Sequence, residues 1–210
     1  MEVPMGVISQ DTVIEHLESH LGALDDLVRG AWGDVCALPS SCQVAMSPRS
    51  RASLVHDFML VRAARYAECT PKVRYFERQL MHGLVFDGRY AVRFKKFDED
   101  NRSKNQPTQQ VTEFRAQVEL EGIDAAHHLE VGYIADVLGT DILDVRLACP
   151  SGRGNAWVIS ISDNGVGTVL ADLFPQGGGD GGGDGQDIEP AEIAPRKPDG
   201  QVIPFERKQE

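Results

Sequence analysis

Six residues in one short stretch have the types and spacing to do chemistry: Phe86, Arg89, Arg93, Lys95, Lys96 and Phe97. Guanidinium and ammonium groups neutralise phosphates, and aromatic rings beside them stack on bases. The stretch from Gly83 to Phe97 reads as a β-hairpin. Asp87-Gly88 is the pair a type I′ turn asks for, with φ > 0 at both central positions. With those two residues as the loop, Phe86 faces Arg89 and Val85 faces Tyr90. Alternation then places Val85, Tyr90, Val92 and Phe94 on one face, which reads as core. Leu84, Phe86, Arg89, Ala91, Arg93, Lys95 and Phe97 share the other. That second face is a basic stripe with aromatics beside it, and it is the expected binding surface. The competing expectation is that another element covers it, with the charges snorkelling or paired with Asp98 or Glu99.

Other chemistry has weaker support. His56 and Asp57 are neighbours on a helical pattern, and adjacent residues on a helix do not face each other, so they make no dyad. His127 and His128 precede a strand and point to opposite faces, which keeps them off one metal. No His-Glu-x-x-His, EF-hand or Gly-x-Ser-x-Gly pattern occurs. Cys36, Cys42, Cys69 and Cys149 include no C-x2-C pair, which leaves no zinc-knuckle or thioredoxin-like motif. They read as buried thiols in a reducing compartment. No metal and no cofactor is expected.

The elements that must position the stripe follow from periodicity. Asp11 to Gly33 reads as an amphipathic helix with Asp11 as N-cap and an apolar stripe from Val13 to Trp32. That stripe is expected to pack on the core, with homo-oligomerisation through it as the alternative. Residues 34–46 read as irregular. Ser47-Pro48 opens a second helix, to about Cys69, with Leu54, Val55, Phe58, Val61 and Ala64 as its buried side and Arg51, Arg62 and Arg65 on one face. Lys72–Arg78 reads as a short strand. Pro107 opens a third helix that ends before Gly122. Strands are expected over 129–137, 143–147 and 157–161, and a short closing helix or a loose end over 166–174.

A chain of 210 residues with 41% hydrophobic content can bury a real core. Its net charge of −11 opposes whole-molecule attraction to nucleic acid or anionic membrane. The charge is uneven, however. Residues 72–104 hold nine basic and five acidic side chains, whereas residues 176–210 hold four basic and eight acidic ones. From Gln176 the Gly/Asp-rich composition predicts a disordered acidic tail. The expected organisation is an N-terminal helical segment (1–46), an α+β core domain (47–175) and that tail (176–210). The start lacks a signal-peptide pattern, no stretch is long enough to span a bilayer, and a cytoplasmic setting is expected.

The element order after Pro48 resembles the αβββαβ core of restriction-type nucleases with the PD-(D/E)xK pattern. That resemblance implies Asp87 as metal-binding acid and Lys95 as the water-activating lysine. Arg93, two residues before Lys95, stands where the pattern needs an acid, and a cation there repels a metal. A second resemblance rests on Ser47-Pro48-Arg49-Ser50-Arg51-Ala52, Val92-Arg93-Phe94-Lys95-Lys96-Phe97, Asn101, Asn105, Thr108, Gln117, Gly122 and Gly132-Tyr133. These are similar to a family of uncharacterised bacterial proteins encoded beside helix-turn-helix and ImmA/IrrE-type metallopeptidase genes. It implies a toxin–antitoxin-like or phage-defence setting and transfers no catalytic residue.

The expectation is therefore an α+β fold. N-terminal helices and a central helix pack on an antiparallel or mixed sheet of about five or six strands. The expected function is non-catalytic: binding a protein partner, and nucleic acid on the basic hairpin face. An atypical metal-dependent nuclease and a structural homo-oligomer are the alternatives.

Overall fold

Ser9 starts the first helix: its side-chain oxygen accepts from the Thr12 N–H at 3.3 Å, so Ser9 rather than Asp11 is the N-cap. The computed structural model describes residues 7–78, 81–103, 108–123 and 125–162. Helix α1 (Gln10–Cys36) buries Val13, Leu17, Leu21, Leu24, Leu27, Val28, Ala31, Trp32 and Val35, the three- and four-residue stripe of an amphipathic helix. A six-residue helix, α2 (Ser40–Ala45), follows where an irregular stretch was expected. Helix α3 (Pro48–Cys69) begins as expected, with Pro48 in its first turn and the Ser47 side chain accepting from the Ser50 N–H at 3.1 Å. Its buried residues are Val55, Met59 and Ala63, one residue round from the expected side, and Val61 is exposed.

Among the described residues six strands follow: β1 (Val73–Arg78), β2 (Met81–Phe86), β3 (Tyr90–Lys96), β4 (His127–Ala135), β5 (Ile142–Ser151) and β6 (Gly154–Ser160). A short helix, α4 (Gln109–Arg115), lies between β3 and β4, with Thr108 as N-cap. The expected start at Pro107 lies outside the described residues, as do 166–174 and the tail from 176. The sheet order is β1-β2-β3-β4-β5-β6. Every neighbouring pair is antiparallel except β3 and β4, which run parallel. Two three-stranded meanders thus stand side by side, and the α4 segment supplies the crossover that a parallel pair requires. This is an α+β fold on a mixed sheet.

The helices α1 and α3 cover one face. Leu84, Phe86, Tyr90, Val92, Phe94, Leu129, Val131, Tyr133, Val145 and Leu147 pack with the helical stripes into the main core. The α1 stripe is therefore spent inside the chain, in the same core as the sheet. On the other face, α4 closes a smaller cluster of Phe76, Met81, Val85, Ala91, Phe114, Leu120, Ile123 and Ala125.

The central hairpin keeps its turn but changes its register. Asp87 and Gly88 have φ of 49° and 67°, and the Arg89 N–H donates to the Phe86 carbonyl at 2.8 Å. Yet Phe86 pairs with Tyr90, and Val85 with Ala91. Arg89 is an extra residue in the loop, its carbonyl accepting from the His127 N–H at 2.8 Å. One added residue moves a whole strand's side chains to the other face. Phe86 therefore joins Tyr90, Val92 and Phe94 in the core, and Val85 joins Ala91 opposite. Three cysteines, Cys36, Cys42 and Cys69, are exposed rather than buried. Cys149 is buried, which pushes its thiol up to about 12. No helix among the described residues is long and apolar enough to cross a membrane.

Candidate partner-binding groove

The first turns of α3 present Arg49, Ala52, Ser53, His56 and Asp57 along one stripe, at the spacing that shares a helix face. Opposite them lie Lys95 and Lys96 at the end of β3, followed by Phe97 and Asp98. Together with Pro48 these residues line a groove of about 800 Å³. The loop after β3 is fixed by Asp98, whose carboxylate accepts from the Asp100 and Arg102 N–H groups at 3.1 and 2.8 Å.

Two further hollows meet the groove at Lys96. One holds Trp32, Arg51, Tyr133 and Leu138; the other holds Glu99, Ile134, Val137 and Leu143. The hairpin between β4 and β5 rises beside them, its turn held by Asp136, which accepts from Thr140 Oγ1 at 2.7 Å and from the Asp141 N–H at 3.1 Å. Val137, Leu138 and Leu143 on this hairpin are 96%, 83% and 65% exposed. The carboxyl ends of the parallel strands β3 and β4, the start of α3 and an apolar hairpin tip thus share one end of the molecule.

Behind Lys95 lies a buried polar cluster. Arg93 is 5% exposed, with its guanidinium over the Phe114 ring at 4.9 Å. Arg115 of α4 donates to Glu130 of β4 at 2.9 Å and to the carbonyls of Gly152 and Gly154 at 2.9 and 2.6 Å. Gln117 joins the strands: its amide donates to the carbonyls of His128 and Pro150 at 2.8 and 2.9 Å, and its oxygen accepts from the His128 N–H at 2.8 Å. Burial, then repulsion from Arg93, lowers Lys95 to about 8, with Glu130 opposing the shift. Burial lowers His56 as well, with Lys95 adding to it.

The expected basic stripe is not a continuous open face. Arg89 sits in the turn near His16 of α1, with 3.5 Å between Arg89 Nη1 and His16 Nε2. Arg93 lies beneath α4, Lys95 is half-buried, and Lys96 is exposed on the opposite side of the strand. Phe86 is in the main core beside His20, and Phe97 packs with Ile134 and Ala148. Lys95, Lys96 and Phe97 meet in the groove; Arg89, Arg93 and Phe86 do not line it.

The nuclease constellation does not assemble either. Asp87 sits in the turn before β3, 3.4 Å from Lys72, and Lys95 is near the far end of that strand. At about 3.3 Å per residue they are more than 20 Å apart. Among the described residues, no group of three or more His, Cys, Asp or Glu side chains is placed to hold a metal. His56 Nδ1 is 3.9 Å from the Asp57 carboxylate, too long for a hydrogen bond. The residues that sequence reasoning missed are Arg49, Ala52, Ser53 and His56. Their helical spacing was visible, but nothing local says which strand lies opposite. No family model, no curated protein and no solved structure matches this chain.

Proposed function

We propose that this protein is a non-catalytic binding component of a toxin–antitoxin-like or phage-defence module. It holds a protein partner at the β3–β4 end of its sheet. The observation that carries the reading is the exposed Val137, Leu138 and Leu143 beside a groove whose walls bear Arg49, Lys95 and Lys96. Large apolar side chains gathered on a surface mark interaction sites, and a charged rim gives such a site its specificity. The segments Ser47–Ala52, Lys95–Phe97 and Gly132–Tyr133, on which the family resemblance rests, also come together here, with Tyr133 and Leu138 lining one hollow.

The test is calorimetric titration with the helix-turn-helix/metallopeptidase-type protein encoded by the adjacent gene. Wild type is compared with Leu138→Glu and Lys96→Glu. Binding by the wild type and at least a tenfold loss in both variants, with unchanged thermal unfolding, supports the reading. Equal affinity in all three proteins removes it.

A further inference from the structure

We propose that the trough where α3 meets the end of β3 takes an acidic, amphipathic α-helix of the partner. This inference rests on the partner-binding reading above and names the chemistry of what binds.

Two hollows make the trough. The groove of about 800 Å³ and the hollow that Leu138 lines share Pro48, Ala52 and Lys96, so one continues into the other. The stripe from Arg49 to His56 on α3 forms one wall, about 10 Å of helix or two turns. Trp32, Met46, Tyr133 and Leu138 make the second hollow apolar, and Leu138 is 83% exposed. A surface with an apolar end and a charged wall suits an amphipathic guest.

Backbone bonding decides the guest's conformation. The Phe97 N–H donates to the Tyr133 carbonyl at 2.9 Å, and the Asp98 N–H to the Arg102 carbonyl at 3.0 Å. Phe97 also bridges Ser103 in antiparallel fashion. In the β4–β5 turn the Gly139 N–H donates to the Asp136 carbonyl at 3.0 Å, and the Asp136 carboxylate accepts from the Thr140 and Asp141 N–H groups. The main chain inside α3 bonds to itself. Among the described residues, then, the walls meet a guest mainly with side chains. A segment that leaves water here must satisfy its own N–H and carbonyl groups, and a helix does so within one chain.

Charge decides the face the helix turns inward. Arg49, Arg51 and Lys96 stand around the trough. Among the described residues none of the three is in an ion pair. Lys95 lines the groove too, but it interacts within the chain and is left out of the count. Of the two acids in the groove, Asp98 binds the N–H groups of its own loop, and Asp57 is 73% exposed beside His56. Three cations gathered in a chain of net charge −11 favour carboxylates on the guest. The hollow on the far side of Lys96 confines that guest to the α3 side, because Asp98, Glu99, Asp100 and Asp136 line it. Carboxylates at i and i+4 of a helix share a face and can meet Arg49, Arg51 and Lys96 together, while the adjoining apolar face covers Leu138. A nucleic acid has no apolar face to offer Leu138 and is repelled by the acidic hollow.

The probe is a fluorescein-labelled sixteen-residue peptide of Leu, Ala and Glu with Leu on one helical face. Its binding is followed by anisotropy across a salt series, and its helicity by circular dichroism. Three comparisons accompany it: the same peptide with two central residues replaced by proline, the peptide with Lys in place of Glu, and an oligothymidylate. The variants are Arg49→Glu/Arg51→Glu and Ala52→Trp, the second filling the trough with every cation kept. Glu suits the first turn of a helix, so the charge variant keeps its fold and decides alone if Ala52→Trp unfolds. The expected result is that the Leu/Glu peptide binds wild type, gains helicity and weakens as salt rises. Binding should fall at least tenfold with the prolines and in each variant, and the Lys peptide should not bind. Absence of Leu/Glu binding, or equal binding of the proline peptide, overturns the proposal. Tighter binding of the oligothymidylate, lost in the same variants, overturns it in favour of a nucleic-acid groove. The two readings fail separately. If the adjacent-gene protein binds and loses affinity in Leu138→Glu but not in Ala52→Trp or Arg49→Glu/Arg51→Glu, the partner surface stands and the acidic helix falls.

Discussion

Arg115 of the crossover helix and Glu130 of β4 lie 2.9 Å apart, with side chains 11% and 0% exposed. The pair joins α4 to the sheet at the parallel β3–β4 junction, and Arg115 reaches on to the β5–β6 turn through the Gly152 and Gly154 carbonyls. A buried ion pair gives little over an apolar replacement of both partners, because desolvation offsets the attraction. Its value here is positional: it holds the crossover that puts β4 beside β3.

Removing one partner should therefore cost far more than removing both. Glu130→Gln leaves the guanidinium of Arg115 facing Arg93 and Lys95 without its counter-charge. The expected loss is about 3–5 kcal/mol in urea unfolding. The double variant Arg115→Met/Glu130→Leu should recover a large part of it. Equal destabilisation in single and double variants would show that the hydrogen bonds of Arg115 to the turn, not charge balance, dominate.

Two glycines separate close approach from ordinary helix propensity. A Cβ on Gly132 would fall against the Lys95 carbonyl oxygen and 3.1 Å from the Phe97 ring, whereas one on Gly22 of α1 meets nothing within 4 Å. Gly132→Ala should destabilise by about 1–3 kcal/mol or more, as overpacking does, and should also disturb the β3 end of the groove. Gly22→Ala should stabilise by about 0.5–1 kcal/mol, since alanine loses less backbone entropy in a helix. Thermal unfolding of the two variants should shift in opposite directions.

Acid should weaken the fold through His128. Burial lowers its pKa from 6.5 to about 4, against the opposing effect of the Phe114 carbonyl that faces its Nδ1 at 3.0 Å. Below 6.5 the unfolded chain takes up a proton that the folded one refuses. Stability is thus present above pH 6.5, falls as pH drops, and loses up to about 3 kcal/mol from this residue by pH 4. His56 and His127, also lowered by burial, act in the same direction. Unfolding free energies from pH 7 to 4 should show that slope, and His128→Asn should flatten it. A slope unchanged by that substitution would place the titration elsewhere.

Local chemistry was readable in the sequence. The α1 stripe, the Ser47-Pro48 start of α3, the alternation of β4 and β5, and the positive φ of Asp87 and Gly88 all rest on contacts within a few residues. The tertiary structure decided what period-2 patterns leave open. A strand that alternates reads the same whichever face turns inward, and the single extra residue Arg89 exchanged the two faces of β2 relative to β3. That exchange sent Phe86 to the core. The crossover through α4 laid Phe114 over Arg93, and the basic stripe was divided between interior and groove. Nor does any local signal pair β3 with β4, which stand more than thirty residues apart in sequence, or set α3 across from Lys95. Those are long-range choices. They are made by the burial of two apolar faces at once, and only the whole chain can satisfy them.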